Sequence, residues 1–111
     1  MNKKPLVVTL CGSTRFVDVF NEYRQKLTLQ GEIVLSIELV VPQTYQQDPQ
    51  HQDYCTKIML DELHKRKIDL SDYILVLNVN GYIGESTKNE IEYAKSINVP
   101  VKYINGGNKN A

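Results

Sequence analysis

The sequence predicts an α/β domain built on a parallel β-sheet. Apolar, β-branched runs alternate with amphipathic helical stretches from one end to the other. The first run, Leu-Val-Val-Thr-Leu-Cys from Leu6 to Cys11, is almost free of polar residues, as a strand covered on both faces must be. The intervals between runs are long enough for crossover helices, which join parallel strands in right-handed β-α-β units. At 111 residues the chain holds one domain, spanning residues 1–111, with a single sheet covered by helices.

The elements follow in order. The run Leu6–Cys11 ends in Gly12-Ser13-Thr14. Phe16, Phe20, Tyr23 and Leu27 then recur at i, i+4, i+7 and i+11, one face of a helix that Gly31 stops. Ile33–Val41 is the second strand, closed by Pro42. The polar stretch Gln43–Gln52, with Pro49, reads as a loop of the kind that serves as a lid. Tyr54–Ile68 has helical spacing, with Met59, Leu60 and Leu63 expected inward and Asp53 as its cap. Tyr73–Val79 is the third strand and Asn80–Glu85 a glycine-rich turn. Thr87–Asn98 is the third helix, with Ile91, Ala94 and Ile97 inward, and Val99–Ile104 the last strand. Gly106–Ala111 is a polar tail.

Composition narrows the function. Thirteen basic and 13 acidic side chains balance to a formal net charge of zero, whereas proteins that hold long nucleic acids are usually basic. A small anion held by a few fixed donors suits such a surface better. No secretory leader or membrane-length apolar stretch is present, so a cytoplasmic protein with no membrane partner is expected. Cys11 and Cys55 do not make a disulfide framework, and two histidines with two cysteines show no metal-ligand spacing. Neither the dinucleotide fingerprint nor the P-loop occurs, and no cofactor is expected.

In an open parallel sheet, ligands bind beyond the carboxyl ends of the strands, near the switch in strand order. If the first and third strands are neighbours, Gly12-Ser13-Thr14-Arg15 and the segment from Asn78 to Ser86 meet there. Both lead into helix N-termini, where free N–H groups favour an anion. Gly12 permits close backbone approach, Ser13 and Thr14 add hydroxyls, and Arg15 can pair with a phosphate. Equally, Ser13 or Thr14 could cap the helix while Arg15 faces water. Asn78, Tyr82 and Ser86 are offered by the second segment, and Phe16 or Tyr82 could pack on a base. Glu90 suits a nucleophile for an oxocarbenium-like sugar carbon. Thr87-Lys88-Asn89-Glu90 also matches a capping box, which gives Glu90 a purely structural role. His64 is either an acid/base, with Asp61 one turn away, or a packed side chain. Lys65-Arg66-Lys67 reads as favourable charge near a helix C-terminus. Cys11 has no base near it in sequence and reads as a small buried residue. Asp72 reads as serving the helix-to-strand junction.

Cys11-Gly12-Ser13-Thr14-Arg15 after an apolar strand resembles the first loop of the nucleoside 2-deoxyribosyltransferase superfamily. The match is closest to the branch that hydrolyses deoxynucleoside 5′-monophosphates, whose loop reads Cys-Gly-Ser-x-Arg. Ser71-Asp72, an apolar strand, a glycine-rich turn, and Asn89-Glu90-Ile91 opening a helix with Ala94 follow the same order. The resemblance spans nearly the whole chain. It implies a flavodoxin-like three-layer sandwich with a four- or five-stranded parallel sheet. It also implies Glu90 as the nucleophile that takes the sugar, and Gly12, Ser13, Arg15 and Ser86 around the 5′-phosphate or 5′-hydroxyl.

The sequence departs from that pattern in three places. His64 stands where the family has an aspartate eight residues before the one matching Asp72. Glu85-Ser86-Thr87-Lys88-Asn89 replaces a Gly-x-Gly turn. Relatives also continue past the last strand and take an Asn or Ser from a neighbouring subunit, which this chain would have to replace. The strings Gly-Ser-Thr-Arg-Phe and Gly-Tyr-Ile-Gly-Glu-Ser-Thr are similar to those of a group of short bacterial and phage proteins without an assigned reaction.

The expected function is N-glycosidic bond hydrolysis or deoxyribosyl transfer on a nucleoside or its 5′-monophosphate, with catalytic Glu90 and His64. The alternative is a nucleotide or nucleotide-sugar sensor that performs no chemistry. A homodimer or larger homo-oligomer is expected, because small domains gain by burying more surface.

Overall fold

A computed structural model describes residues 4–37 and 54–105. The expected lid Gln43–Gln52, the Pro42 stop, the Asp53 cap, the tail Gly106–Ala111 and residues 38–41 of the second strand lie outside them. Strands β1 (Val7–Cys11), β2 (Ile33–Leu35), β3 (Tyr73–Val76) and β4 (Val101–Tyr103) form one all-parallel sheet in the order β2-β1-β3-β4. Helices α1 (Val17–Leu29), α2 (Tyr54–Asp69) and α3 (Glu85–Ser96) accompany them. The first and third strands are neighbours, which meets the condition for a shared site. Their last residues are in register, Cys11 opposite Val76, so the loops that follow leave the sheet side by side.

Alternation along the strands builds two cores. Val8 and Leu10 of β1, with Tyr73 and Leu75 of β3, face one way and pack with Phe20 and Leu27 of α1. Cys11, Ile74 and Val76 face the other way and pack with Ile68 of α2 and with Ile91 and Ala94 of α3. The result is the expected α/β sandwich, α1 on one side and α2 with α3 on the other, compatible with a flavodoxin-like fold. Among the described residues no helix is long and apolar enough to cross a membrane.

Polar contacts pin the layers. The Asp72 backbone N–H donates to the Val7 carbonyl, and the Val7 N–H donates to Asp72 Oδ2, both at 2.7 Å. Asp72 thus holds the helix-to-strand junction, as expected, by fixing the start of β1. The Thr9 and Ser71 hydroxyls lie 2.5 Å apart and reach the Lys67 carbonyl at 3.2 and 2.8 Å. They fasten the last turn of α2 to the middle of β1. Gly31 ends α1 at φ +89°, in the left-handed region that favours glycine.

Three packing expectations are corrected. Met59, Leu60 and Leu63 of α2 are exposed, and the helix buries His64 and Ile68 instead. Its C-terminal half is the part tied to β1, while Leu60 and Leu63 overhang a cleft. Ile97 is also exposed, because α3 ends at Ser96 and Ile97 leaves the helical repeat. Phe16 belongs to a 3₁₀ turn, Thr14–Phe16, ahead of α1 rather than to the helix itself.

Candidate functional site

The cleft lies where the chain leaves β1 and β3, bounded by α2. It has a volume of about 480 Å³ and is floored by His64 and Glu90. Gly12, Ser13 and Thr14 form one wall, and Tyr82 and the start of α3 the other. Gly12 is required by close approach: a Cβ there would meet Leu77 Cβ at 3.3 Å and the Phe20 ring at 3.4 Å. Ser13 caps the 3₁₀ turn, its Oγ accepting from the Arg15 N–H at 3.3 Å. That is the local capping role the sequence allowed, performed by a residue that also lines the cleft.

The capping box at Thr87–Glu90 does not form. Gly84 is extended (φ −81°, ψ 176°) and is the N-cap, so α3 begins at Glu85. Thr87 therefore falls inside the first turn, and Glu90 is one and a half turns into the helix, where its side chain turns to the cleft floor. No side chain caps α3. The first N–H groups of α3 belong to Glu85, Ser86 and Thr87, all of which line the cleft.

His64 and Glu90 converge from different helices. His64 Nε2 lies 3.5 Å from Glu90 Oε1, with the side chains 4% and 14% exposed. The same nitrogen lies 3.4 Å from Cys11 Sγ. His64 Nδ1 and Glu90 Oε1 are buried and have no hydrogen-bond partner. Burial, and then the charge and hydrogen bonding of Glu90, hold the Cys11 thiol well above its usual pKa. Cys11 is fully buried, as expected of it, but it is not isolated from a base.

The other expected site residues divide into three groups. Ser13, Thr14, Tyr82 and Ser86 line the cleft with Gly12. Arg15 and Phe16 sit at its rim: the Arg15 guanidinium is 4.5 Å from the centroid of the Tyr82 ring, and the Phe16 and Tyr82 rings meet edge to face at 6.0 Å. Asn78 does not line the cleft. It is buried, its Oδ1 accepts from the Asn105 N–H, and its carbonyl accepts from the Asn105 side-chain amide, both at 3.1 Å. Its amide is consumed in tying the chain after β3 to the chain after β4.

Sequence reasoning missed Cys11 as a partner, along with Lys67 and Thr87 as lining residues. Lys67 had a usable signal, since it follows His64 by three positions and so shares its helix face. Its ammonium donates to the Ser36 carbonyl at 2.5 Å. Arg66 instead pairs with Glu62 at 3.2 Å and Asp69 at 2.9 Å on the outer surface. Compared with models of known protein families, with curated proteins and with solved structures, the chain has no match.

Proposed function

We propose that the chain breaks the N-glycosidic bond of a nucleoside or nucleoside 5′-monophosphate, by hydrolysis or by transfer of the sugar, with Glu90 as the nucleophile. The observation that carries this reading is a buried Glu90 oxygen that makes no hydrogen bond of good geometry, with His64 Nε2 3.5 Å away, at the floor of a cleft walled by Gly12, Ser13, Thr14 and the start of α3. A carboxylate in use as a structural cap would have its oxygens occupied.

Glu90 attacks C1′ of the sugar and the C1′–N bond breaks, its electron pair leaving with the base, which takes a proton from the cleft solvent. Water, or a second base, then adds to C1′ and releases the carboxylate. The base leaves from the face of C1′ opposite Glu90. His64, at 3.5 Å from that carboxylate, stands on the nucleophile's side. Its role is to orient Glu90. The 5′-phosphate is taken by the N–H groups that open α3 and by Ser13 and Thr14, with Arg15 reaching in from the rim.

The test is incubation of the full chain with a panel of nucleosides and 5′-monophosphates, followed by chromatography for free base. The expected result is base release by the wild type and none by Glu90→Ala. Binding of a nucleotide without release of base by the wild type would overturn the enzymatic reading in favour of a sensor.

A further inference from the structure

Cys11, His64 and Glu90 bring one sulfur, one imidazole nitrogen and one carboxylate oxygen within 4.8 Å of one another. Each comes from a different element: the end of β1, the body of α2 and the second turn of α3. Two of the three separations are 3.4 Å, from Sγ to Nε2, and 3.5 Å, from Nε2 to Oε1; Sγ and Oε1 lie within 4.8 Å of each other. Around a tetrahedral zinc ion, with bonds of about 2.0 Å to nitrogen or oxygen and about 2.3 Å to sulfur, donor atoms sit roughly 3.3 to 3.7 Å apart. The carboxylate oxygen in this set is buried and has no hydrogen-bond partner.

We propose that this cluster is a binding site for a borderline-soft divalent cation of the zinc class, held by Cys11 Sγ, His64 Nε2 and Glu90 Oε1. The donor set selects the class. A thiolate disfavours magnesium and calcium, and imidazole with carboxylate suits zinc, which imposes no geometry of its own. A thiolate and a carboxylate carry two negative charges, and a divalent cation balances both in a site where neither has room for much water. Binding forms a metal–sulfur bond, breaks the S–H bond of Cys11 and releases that proton to solvent. His64 and Glu90 line the cleft, so the fourth coordination position opens toward it. Metal binding does not depend on the sugar chemistry proposed above. If both occur, the cation occupies the Glu90 lone pairs that the sugar needs, and metal switches the site off.

The test is titration of the reduced, chelator-treated full chain with cobalt(II) as the spectroscopic probe. Expected is a band for charge transfer from thiolate to cobalt in the near ultraviolet, saturating at one equivalent. Visible absorption of a tetrahedral ion should accompany it, and zinc should bleach both. Cys11→Ser should abolish the charge-transfer band, and Cys55→Ser should keep it. Glu90→Gln, which keeps the side-chain volume, should weaken cobalt binding about tenfold or more while the metal-free chain still unfolds cooperatively. No charge-transfer band in the wild type, or one that follows Cys55 instead of Cys11, overturns the proposal. Base release is read separately, so failure of the sugar chemistry and failure of the metal site are told apart.

Discussion

His64 Nε2 and Glu90 Oε1 stand 3.5 Å apart, on two neighbouring helices that share one face of the sheet. Replacing Glu90 by Gln keeps the volume and removes the charge. Base release is expected to fall by about three orders of magnitude or more. Thermal unfolding should change little, because Oε1 has no hydrogen bond of good geometry to lose and Gln fills the same space. Steady-state rates alongside a melting curve check both halves.

Arg15 sits on the face of Tyr82 at the cleft rim, outside the lining of the floor, and is proposed to reach a 5′-phosphate from there. Arg15→Ala is expected to weaken binding of a nucleoside 5′-monophosphate about tenfold. Binding of the corresponding nucleoside should be unaffected. Calorimetry on the matched pair decides it: an equal loss for both ligands would leave Arg15 only the role of packing Tyr82.

Tyr73 donates its hydroxyl to Glu32 at 2.5 Å. Burial first, and then the hydrogen bond and charge of Glu32, hold the phenol proton far more tightly than in the unfolded chain. A group whose pKa rises on folding contributes stability fully below its unfolded value, about pH 10 for tyrosine. That contribution is lost as the pH climbs above it. Tyr73→Phe should therefore cost about 1 kcal/mol at neutral pH and flatten the alkaline decline, as read by urea melts at neutral and strongly alkaline pH.

Two packing variants test the floor of the first loop. Phe20 is fully buried, and Phe20→Ala should cost about 3–5 kcal/mol. Gly12→Ala should cost about 1 kcal/mol, because its new methyl meets Leu77 and the Phe20 ring at 3.3–3.4 Å. Denaturant midpoints measure both.

Cys11 is fully buried, and its thiol is held protonated by burial and by Glu90. Alkylation of the native, metal-free protein at neutral pH should leave Cys11 unmodified until the chain is unfolded, as peptide mass mapping will show.

The parallel sheet was legible because it follows from local pattern and general rules of connection, whereas the adjacency of β1 and β3 entered only as a condition. Leu6–Cys11 and the run from Tyr73 are too uniformly apolar for anything but central strands. The outward-facing residues of α2 were not legible. Met59, Leu60 and Leu63 have the spacing of a core stripe, yet the sheet beneath the helix ends before it reaches them. Thr87–Glu90 carried a true capping signature, but Gly84 caps the helix three residues earlier, and the signature became a turn that delivers a carboxylate inward. The meeting of Cys11 with His64 lay beyond any local reading, because 53 residues separate them. Arg15 and Phe16, read as ligand contacts, also pack on Tyr82, a contact no local pattern shows, while Asn78 is tied to Asn105.

Among the described residues, several hydrogen bonds hold the C-terminal end of α2, through Lys67 and through Ser71 just beyond it. With a rise of about 1.5 Å per residue, Leu60 lies roughly 10 Å from that anchorage and His64 only about 4.5 Å. Any tilt of the helix about its tethered end sweeps Leu60 through about twice the arc of His64. The mouth of the cavity at Leu60 is thus more sensitive to the position of this helix than its floor at His64 is.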